Sequence, residues 1–374
     1  MLNPQKITTL LQEQGFTFFA GVPDSLLKEL CACITDSLPA ERHIITANEG
    51  GAVALAAGYY LATGKPAVVY LQNSGLGNTI NPLLSLVDPE VYRIPMLVIV
   101  GWRGQPGVKD EPQHIKQGRV QPQILDALEY PWEVLSHDPT TAEDQITALL
   151  TRITQEETPA VLVVEKDTFS AYPLPQDPPP YELSREVALD CILSHLHETD
   201  RVVSTTGKTS REIFELREAR GQDHSRDFLT VGSMGHAGMI ALGLARFSTQ
   251  RVFCIDGDGA ALMHLGALPI MGHHAPQTLH HIVINNGAHE SVGGQPTVAF
   301  SLDFPAIAKE CGYTWGVQVS SKDELEAALR ALETQSGPTL IEVRVHPGSR
   351  DDLGRPTTTP VQNRRAFMAD VVEQ

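Results

Sequence analysis

Short apolar runs alternate with longer helix-forming stretches along the whole chain. The runs have the character of strands that are buried on both faces of a parallel sheet. The stretches between them are rich in Ala and Leu and suit helices that cover such a sheet. The pattern therefore predicts an α/β fold built from doubly wound parallel sheets. The runs are Ile44–Thr46, Ala67–Leu71, Met96–Val100, Ala160–Val164, Arg201–Ser204, Val252–Ile255, His281–Ile284 and Leu340–Val345.

A proline-rich segment divides the chain almost in half. It covers residues 169–184 and includes the run Pro178–Pro180. Proline at this density cannot continue a helix or an inner strand. We therefore expect two α/β domains, residues 1–168 and 185–374, joined by an extended linker.

The net charge bears on the possible partners of the chain, and the cysteines and apolar runs bear on its location. A net charge of −17 over 374 residues disfavours nucleic acids and anionic membranes. No apolar run reaches the ~18 residues of a membrane span, and the N-terminal sequence lacks the apolar core of a signal peptide. The five cysteines follow no paired spacing and are interpreted as reduced thiols. These features predict a cytoplasmic protein, in which a local cluster of Lys and Arg can still bind an anionic substrate.

The strongest chemical signal is a pair of polar clusters that follow two predicted strands. Gly257-Asp258-Gly259 follows one strand, and Asn285-Asn286 ends the next. The carboxyl ends of neighbouring parallel strands face the same crevice, so the two clusters can converge there. The glycines allow an anion to approach the backbone, and Asp and Asn supply the hard oxygens that Mg²⁺ prefers. The spacing predicts a site for Mg²⁺ and a diphosphate group.

This segment resembles the cofactor signature of thiamine diphosphate enzymes. The resemblance implies that Asp258 and Asn286 bind Mg²⁺ through their side chains and that Ala288 binds it through its carbonyl. Asn285 would then serve the turn or the cofactor. The residues that the resemblance places at the cofactor are Gly257, Asp258, Gly259, Ala260 and Asn286.

Two further turns resemble cofactor-binding segments of the same enzymes. Thr206-Gly207-Lys208 matches a turn that grips the diphosphate, although a plain helix start explains this sequence as well. The stretch from Gly232 to Gly235 resembles the segment whose large apolar residue wedges between the two rings of the cofactor. Met234 fits that role, although methionine also packs in ordinary cores.

A carboxylate in the first half resembles the activating group of these enzymes. Asn48 can cap a helix that carries Glu49 in its first turn. Thiamine also needs a carboxylate against its pyrimidine nitrogen, and the sequence from Asn48 to Val69 resembles the pyrimidine-binding domain, with Glu49 at the activating position. The resemblance covers almost the whole chain and leaves no room for a middle domain. It implies at least a homodimer, in which Glu49 and Asp258 of one site come from different subunits.

Three stretches bear on the substrate. Asp24 or Ser25 can transfer a proton near the reacting carbon, or can simply start a helix. His289 follows the metal motif and can exchange a proton close to the cofactor. The loop 101–119 is cationic and can bind an anionic tail or lie in solvent. Its candidate ligands are Arg103, Lys109 and His114.

Together these segments resemble the phosphonopyruvate decarboxylase family. The resemblance implies conversion of 3-phosphonopyruvate to phosphonoacetaldehyde and CO₂, a step toward phosphonate natural products. The alternatives are sulfopyruvate decarboxylase, whose substrate is a similar small anion, and a related carboligase. A nucleotide-dependent dehydrogenase is disfavoured because the sequence NSGLGN lacks the spacing of GxGxxG.

Overall fold

The computed structural model describes residues 1–174 and 181–372, which form two compact units. The first unit holds the described residues up to 174 together with 291–295, and the second holds the remainder. The predicted linker is therefore described only at its ends, and the run Pro178–Pro180 lies outside the described residues. Phe169 is buried in the core of the first unit, and Ser184 caps the first helix of the second.

The described part of the first unit contains a six-stranded parallel sheet of order β2-β1-β3-β4-β6-β5. Its strands are β1 Phe19–Gly21, β2 His43–Ile45, β3 Ala67–Gln72, β4 Met96–Gly101, β5 Trp132–Val134 and β6 Pro159–Val164. Its helices are α1 Pro4–Glu13, α2 Lys28–Ser37, α3 Glu49–Thr63, α4 Leu76–Pro82, α5 Pro112–Leu128 and α6 Pro139–Glu156.

The described part of the second unit repeats this plan, with the order β13-β14-β10-β9-β7-β8. The strands from here on are β7 Arg201–Ser204, β8 Asp227–Leu229, β9 Val252–Gly257, β10 Leu279–Asn285, β11 Ala288–His289, β12 Gln295–Pro296, β13 Trp315–Val319 and β14 Thr339–Arg344. The helices are α7 Arg185–His195, α8 Lys208–Ala219, α9 Ala237–Arg246, α10 Asp258–Met263, α11 Ala267–His274, α12 Phe304–Glu310, α13 Lys322–Leu332 and α14 Pro360–Val372.

Each large sheet is covered by apolar side chains on both faces. In β3, Val68 and Tyr70 join one hydrophobic cluster while Val69 and Leu71 join another. In β9 the same alternation separates two clusters of the second unit. Successive side chains of a strand point to opposite faces, so both faces of each sheet are buried under helices. This confirms the predicted α/β class with two doubly wound parallel sheets.

All eight predicted strands lie on observed strands, with ends that differ by two residues or fewer. Of the strands in the two large sheets, the eight predicted runs omit β1, β5, β8 and β13. β1 is an inner strand of only three residues, whereas β5, β8 and β13 lie at sheet edges. Edge strands pair on one side only and do not need a continuous apolar run. Among the helices in the described residues, none has the length and apolar character to cross a membrane.

Candidate active site

Asp258 and Asn286 lie next to each other at the carboxyl edge of the second sheet. Parallel pairing sets Ile284 beside Gly257, so the residues that follow β9 and β10 emerge together. The backbone N–H of Asn286 donates to the Asp258 carboxylate, and Thr297 Oγ1 donates to Asp258 Oδ2 at 2.5 Å. Burial raises the pKa of Asp258 to about 6, against the opposing effect of these hydrogen bonds. The structure thus brings the two predicted metal ligands together.

The oxygen donors of this cluster fit Mg²⁺. Asp258 is only 4% exposed, and a buried carboxylate with a raised pKa gains from a divalent cation beside it. Asn286 contributes a neutral oxygen, which accepts the backbone N–H of Ala288 at 3.1 Å. Asn285 turns away from this group: it donates to Glu342 at 2.8 Å and accepts from Gly287 at 3.1 Å. Oxygen donors of this type are the ones that Mg²⁺ prefers in proteins.

A charged cluster borders the metal ligands on one side. Glu290 accepts hydrogen bonds from Arg185 and Lys208, both at 2.7 Å, and from Asn286 Nδ2 at 2.8 Å. Arg185 also binds Glu212 through two hydrogen bonds of 2.7 and 2.8 Å. Burial opposes ionisation of Glu290, but Arg185 and Lys208 outweigh it and lower the pKa of that carboxyl. The predicted diphosphate ligand Lys208 is therefore connected through Glu290 to Asn286.

Three separately predicted segments meet at Gly259. A Cβ atom on this glycine would lie 3.1 Å from the ring of His289 and 3.4 Å from Cε of Met234. Burial lowers the pKa of His289 to about 4, so the imidazole is neutral at physiological pH. Met234, Gly259 and His289, which come from three separate segments of the sequence, therefore lie around one point of the second unit.

The backbone of the two predicted cofactor turns adopts conformations that favour glycine. Gly207 has a φ of 86° and directly precedes α8, and Thr206 and Lys208 on either side of it are half-buried. Ser233, between Gly232 and Met234, has a φ of 60°. A non-glycine residue in the left-handed region is uncommon and often marks a functional turn.

In the first unit, Glu49 begins α3 after the cap that the sequence predicts. Asn48 Oδ1 accepts the N–H of Gly51 at 2.8 Å, and Glu49 itself is 5% exposed. Glu49 Oε2 accepts a hydrogen bond from Asn78 Nδ2 at 2.7 Å. The proposed activating carboxylate is therefore held in a defined position.

Asp24 is a buried acid at the same edge of the first sheet. It follows β1, is fully buried, and accepts hydrogen bonds from Gln72 Nε2 at 2.5 Å and from the N–H of Leu26 at 3.1 Å. Burial raises the pKa of Asp24, which the Gln72 hydrogen bond partly opposes. A buried acid whose pKa is raised keeps its proton to higher pH than an exposed carboxyl, which favours a role as a general acid.

The predicted substrate loop separates into bound and exposed cations. Arg103 donates to both oxygens of Asp110, at 2.8 and 2.5 Å, and to Ser25 Oγ at 2.7 Å. His114 is buried on α5, and burial lowers its pKa. Lys109 is exposed and, with Arg119, borders a cavity of about 340 Å³ formed by loop 104–110 and the start of α5. Arg103 is therefore bound to Asp110 and Ser25, whereas the side chains of Lys109 and Arg119 have no hydrogen-bond or ion-pair partner among the described residues.

Comparison with known proteins gives the family. The N-terminal binding domain of thiamine pyrophosphate enzymes matches residues 5–129, and the C-terminal binding domain matches residues 205–343. A phosphonopyruvate decarboxylase of Streptomyces viridochromogenes is 37% identical over 99% of this chain and 95% of its own length. The chain belongs to the phosphonopyruvate decarboxylase family of thiamine pyrophosphate enzymes. Another member, from Streptomyces hygroscopicus, is also 37% identical, over 98% of this chain and 93% of its own length.

A more distantly similar protein is named for a different substrate, sulfopyruvate. The sulfopyruvate decarboxylase of Methanosarcina acetivorans is 27% identical over 98% of this chain and 97% of its own length. Membership of the family identifies thiamine diphosphate as the cofactor.

Several residues to which sequence reasoning assigned no role contact the predicted groups or belong to the charged cluster beside them. Arg185 and Glu212 lie far from the motifs in sequence, and nothing in the sequence marks them. Glu290 stands directly after His289, and a carboxylate beside a metal motif is a signal that could have found it. The residues of this kind are Gln72, Asn78, Asp110, Arg185, Glu212, Glu290 and Thr297.

Proposed function

We propose that the chain decarboxylates 3-phosphonopyruvate to phosphonoacetaldehyde and CO₂, using thiamine diphosphate and Mg²⁺. The observation that carries the proposal is the meeting of Met234, Gly259 and His289 in the unit that holds Asp258 beside Asn286. The higher identity to phosphonopyruvate than to sulfopyruvate decarboxylases favours the phosphonate substrate.

In this proposal the second unit holds the charged end of the cofactor. Asp258 and Asn286 bind Mg²⁺ by their side chains, and Ala288 binds it by its carbonyl. The turn Thr206–Lys208, with the backbone around Gly259, binds the diphosphate. When bound, thiamine diphosphate supplies an electron sink for the electron pair released as CO₂ departs.

The remaining proposed roles concern protons. In the overall reaction one C–C bond breaks, and a proton takes the place of CO₂ on the carbon that is left. Glu49 holds a proton at the pyrimidine nitrogen of the cofactor. Asp24, whose pKa burial raises, and His289, which is neutral, are the groups that can hold or move a proton near the reacting carbon.

The anionic tail of the substrate would be neutralised by exposed cations of the first unit. Lys109 and Arg119 border the cavity described above. Arg103, which is bound to Asp110 and Ser25, would shape the loop and supply positive potential from within it.

We also propose a domain organisation, an oligomeric state and a cellular location for the protein. Residues 1–168 would bind the pyrimidine and residues 185–374 the diphosphate, with complete sites formed between the subunits of a homodimer. Four of the five cysteines are buried and all five are free, which suits a reducing, cytoplasmic location.

The direct test is a comparison of substrates. Purified protein with Mg²⁺ and thiamine diphosphate is supplied with phosphonopyruvate, sulfopyruvate or pyruvate, and the aldehyde is measured, with and without an added acceptor aldehyde. We expect the highest kcat/KM with phosphonopyruvate and no coupled product. A higher value with sulfopyruvate would assign the alternative substrate, and a coupled product would assign carboligation.

Glu49→Gln should nearly abolish turnover while cofactor binding persists, and normal turnover in that variant would remove Glu49 from the proposal.

A further inference from the structure

The carboxylate of Glu49 lies in a slot formed by two neighbouring elements. On one side, Asn78 of α4 donates from Nδ2 to Glu49 Oε2 at 2.7 Å. On the other side lies the backbone of Gly75, so close that a Cβ atom there would overlap the carboxylate. The slot thus fixes both the position and the rotation of the carboxyl group.

Glycine residues make this close approach possible. A Cβ on Gly50, the second residue of α3, would lie 2.8 Å from the backbone oxygen of Asn78. The start of α3 and α4 therefore meet backbone to backbone, and this contact places the Asn78 side chain against Glu49. Side chains at Gly50 or Gly75 would separate the two groups.

The chemistry of the donor suits a carboxylate that must exchange a proton. Among the described residues, Asn78 is the one that hydrogen bonds to Glu49, and it binds one of the two oxygens. A lysine or arginine at this place would hold the carboxylate in its charged form. An amide orients the carboxylate without adding charge, and the other oxygen is left for a second hydrogen bond.

We infer that Asn78 is a positioning residue for cofactor activation: it holds Glu49 so that one oxygen meets the pyrimidine nitrogen. The inference rests on the proposed function of Glu49. It assigns Asn78 no contact with the substrate and no part in cofactor affinity. It therefore predicts that loss of the amide slows activation of the bound cofactor without weakening its binding.

The test measures activation without any 2-oxo acid. Holoenzyme is diluted into D₂O and quenched with acid, and NMR gives the rate at which the thiazolium C2 proton exchanges; calorimetry gives the Kd for thiamine diphosphate. We expect Asn78→Asp, which keeps the shape, and Asn78→Ala to slow exchange by about 10- to 100-fold, the effect of losing one hydrogen bond to a charged group. The Kd should stay within about three-fold of the wild-type value.

Asn81→Ala is the matched control. Asn81 is an exposed residue of the same helix whose side chain accepts from Ser85 at 3.0 Å. This variant should exchange at the wild-type rate. Asn78→Asp should also move the pH profile of exchange to higher pH, because two adjacent carboxylates disfavour joint ionisation. A purely structural role for Asn78 would not produce that shift.

The outcomes separate this inference from the proposal on which it rests. Wild-type exchange in Asn78→Asp, or slow exchange with an equal loss of cofactor affinity, would overturn the positioning role. Wild-type exchange in Glu49→Gln would instead remove the activating role of Glu49 itself. If the Asn78 variants fail to fold, the wild-type holoenzyme crystal structure decides: an Asn78 Nδ2 farther than about 3.5 Å from both Glu49 oxygens contradicts the inference.

Discussion

Replacing Glu290 with glutamine tests the charged cluster beside the proposed metal site. Glutamine keeps the size of the side chain and one acceptor oxygen but removes the negative charge. The change weakens the contacts of Glu290 with Arg185 and Lys208, both at 2.7 Å, and with Asn286. Both the stability of the second unit and the orientation of a proposed metal ligand should respond.

The expected magnitude follows from burial and from the partners that remain. The Arg185 side chain is 6% exposed but keeps both hydrogen bonds with Glu212, so its charge is not left alone. Lys208 is 28% exposed and can turn to solvent. We expect a loss of about 2 kcal/mol in the free energy of unfolding, as for one hydrogen bond to a charged group rather than the larger cost of an orphaned buried charge. Mg²⁺ affinity should fall about 10-fold or more, as when a metal ligand loses its orienting partner.

Urea denaturation of the metal-free protein and Mg²⁺ titration by calorimetry measure the two effects. Glu186→Gln is the matched control, because Glu186 contacts Arg350 at 2.9 Å on the surface, where the side chains are 30% and 41% exposed. A pair of this kind contributes little to stability. If Glu290→Gln and Glu186→Gln unfold at the same urea concentration and bind Mg²⁺ equally well, the reasoning about the cluster is refuted.

Four further predictions concern Gly75, Asp258 and Lys109. Gly75→Ala should lower kcat about 10-fold or more by displacing the Glu49 carboxylate, whereas Gly77→Ala, whose Cβ meets open space, should keep the wild-type kcat. Because burial raises the pKa of Asp258 to about 6, Mg²⁺ affinity measured by calorimetry should rise with pH up to that value and then level off. In the metal-free protein, protonated Asp258 stabilises the folded state at low pH, and this stabilisation is lost as the pH rises through about 6. Urea denaturation at a series of pH values should show this loss, and Asp258→Asn should abolish it. Lys109→Gln should raise the KM for phosphonopyruvate with little change in kcat, and an unchanged KM would exclude Lys109 from the substrate site.

The sequence predicted that Asp258 and Asn286 lie together because their proximity depends on local rules. Asp258 and Asn286 each follow a strongly apolar strand, and adjacent parallel strands bring the residues after them to one edge. Likewise, Asn48 and Glu49 form a helix start whose cap is local in sequence. The longer apolar runs that form inner strands are equally visible, because burial on both faces requires them; the three-residue inner strand β1 is too short to give such a run.

The contacts that support these groups could not be predicted in the same way. Arg185 stands 105 positions before its partner Glu290, and Asn78 stands 29 positions after Glu49. Their pairing depends on how helices pack on the sheets, which no local pattern encodes. For the same reason the sequence could not show which cations of loop 101–119 are available to an anion. Only the fold shows that Asp110 binds Arg103.

A crystal structure of the protein with Mg²⁺ and thiamine diphosphate measures most directly whether the two units jointly form one active site. We predict Mg²⁺ bound by the side chains of Asp258 and Asn286 and by the carbonyl of Ala288, with the diphosphate on the same ion. Glu49 of the other subunit should lie about 3 Å from the pyrimidine nitrogen. An ion held by other residues, or a Glu49 carboxylate out of reach of the pyrimidine, would contradict the proposed site.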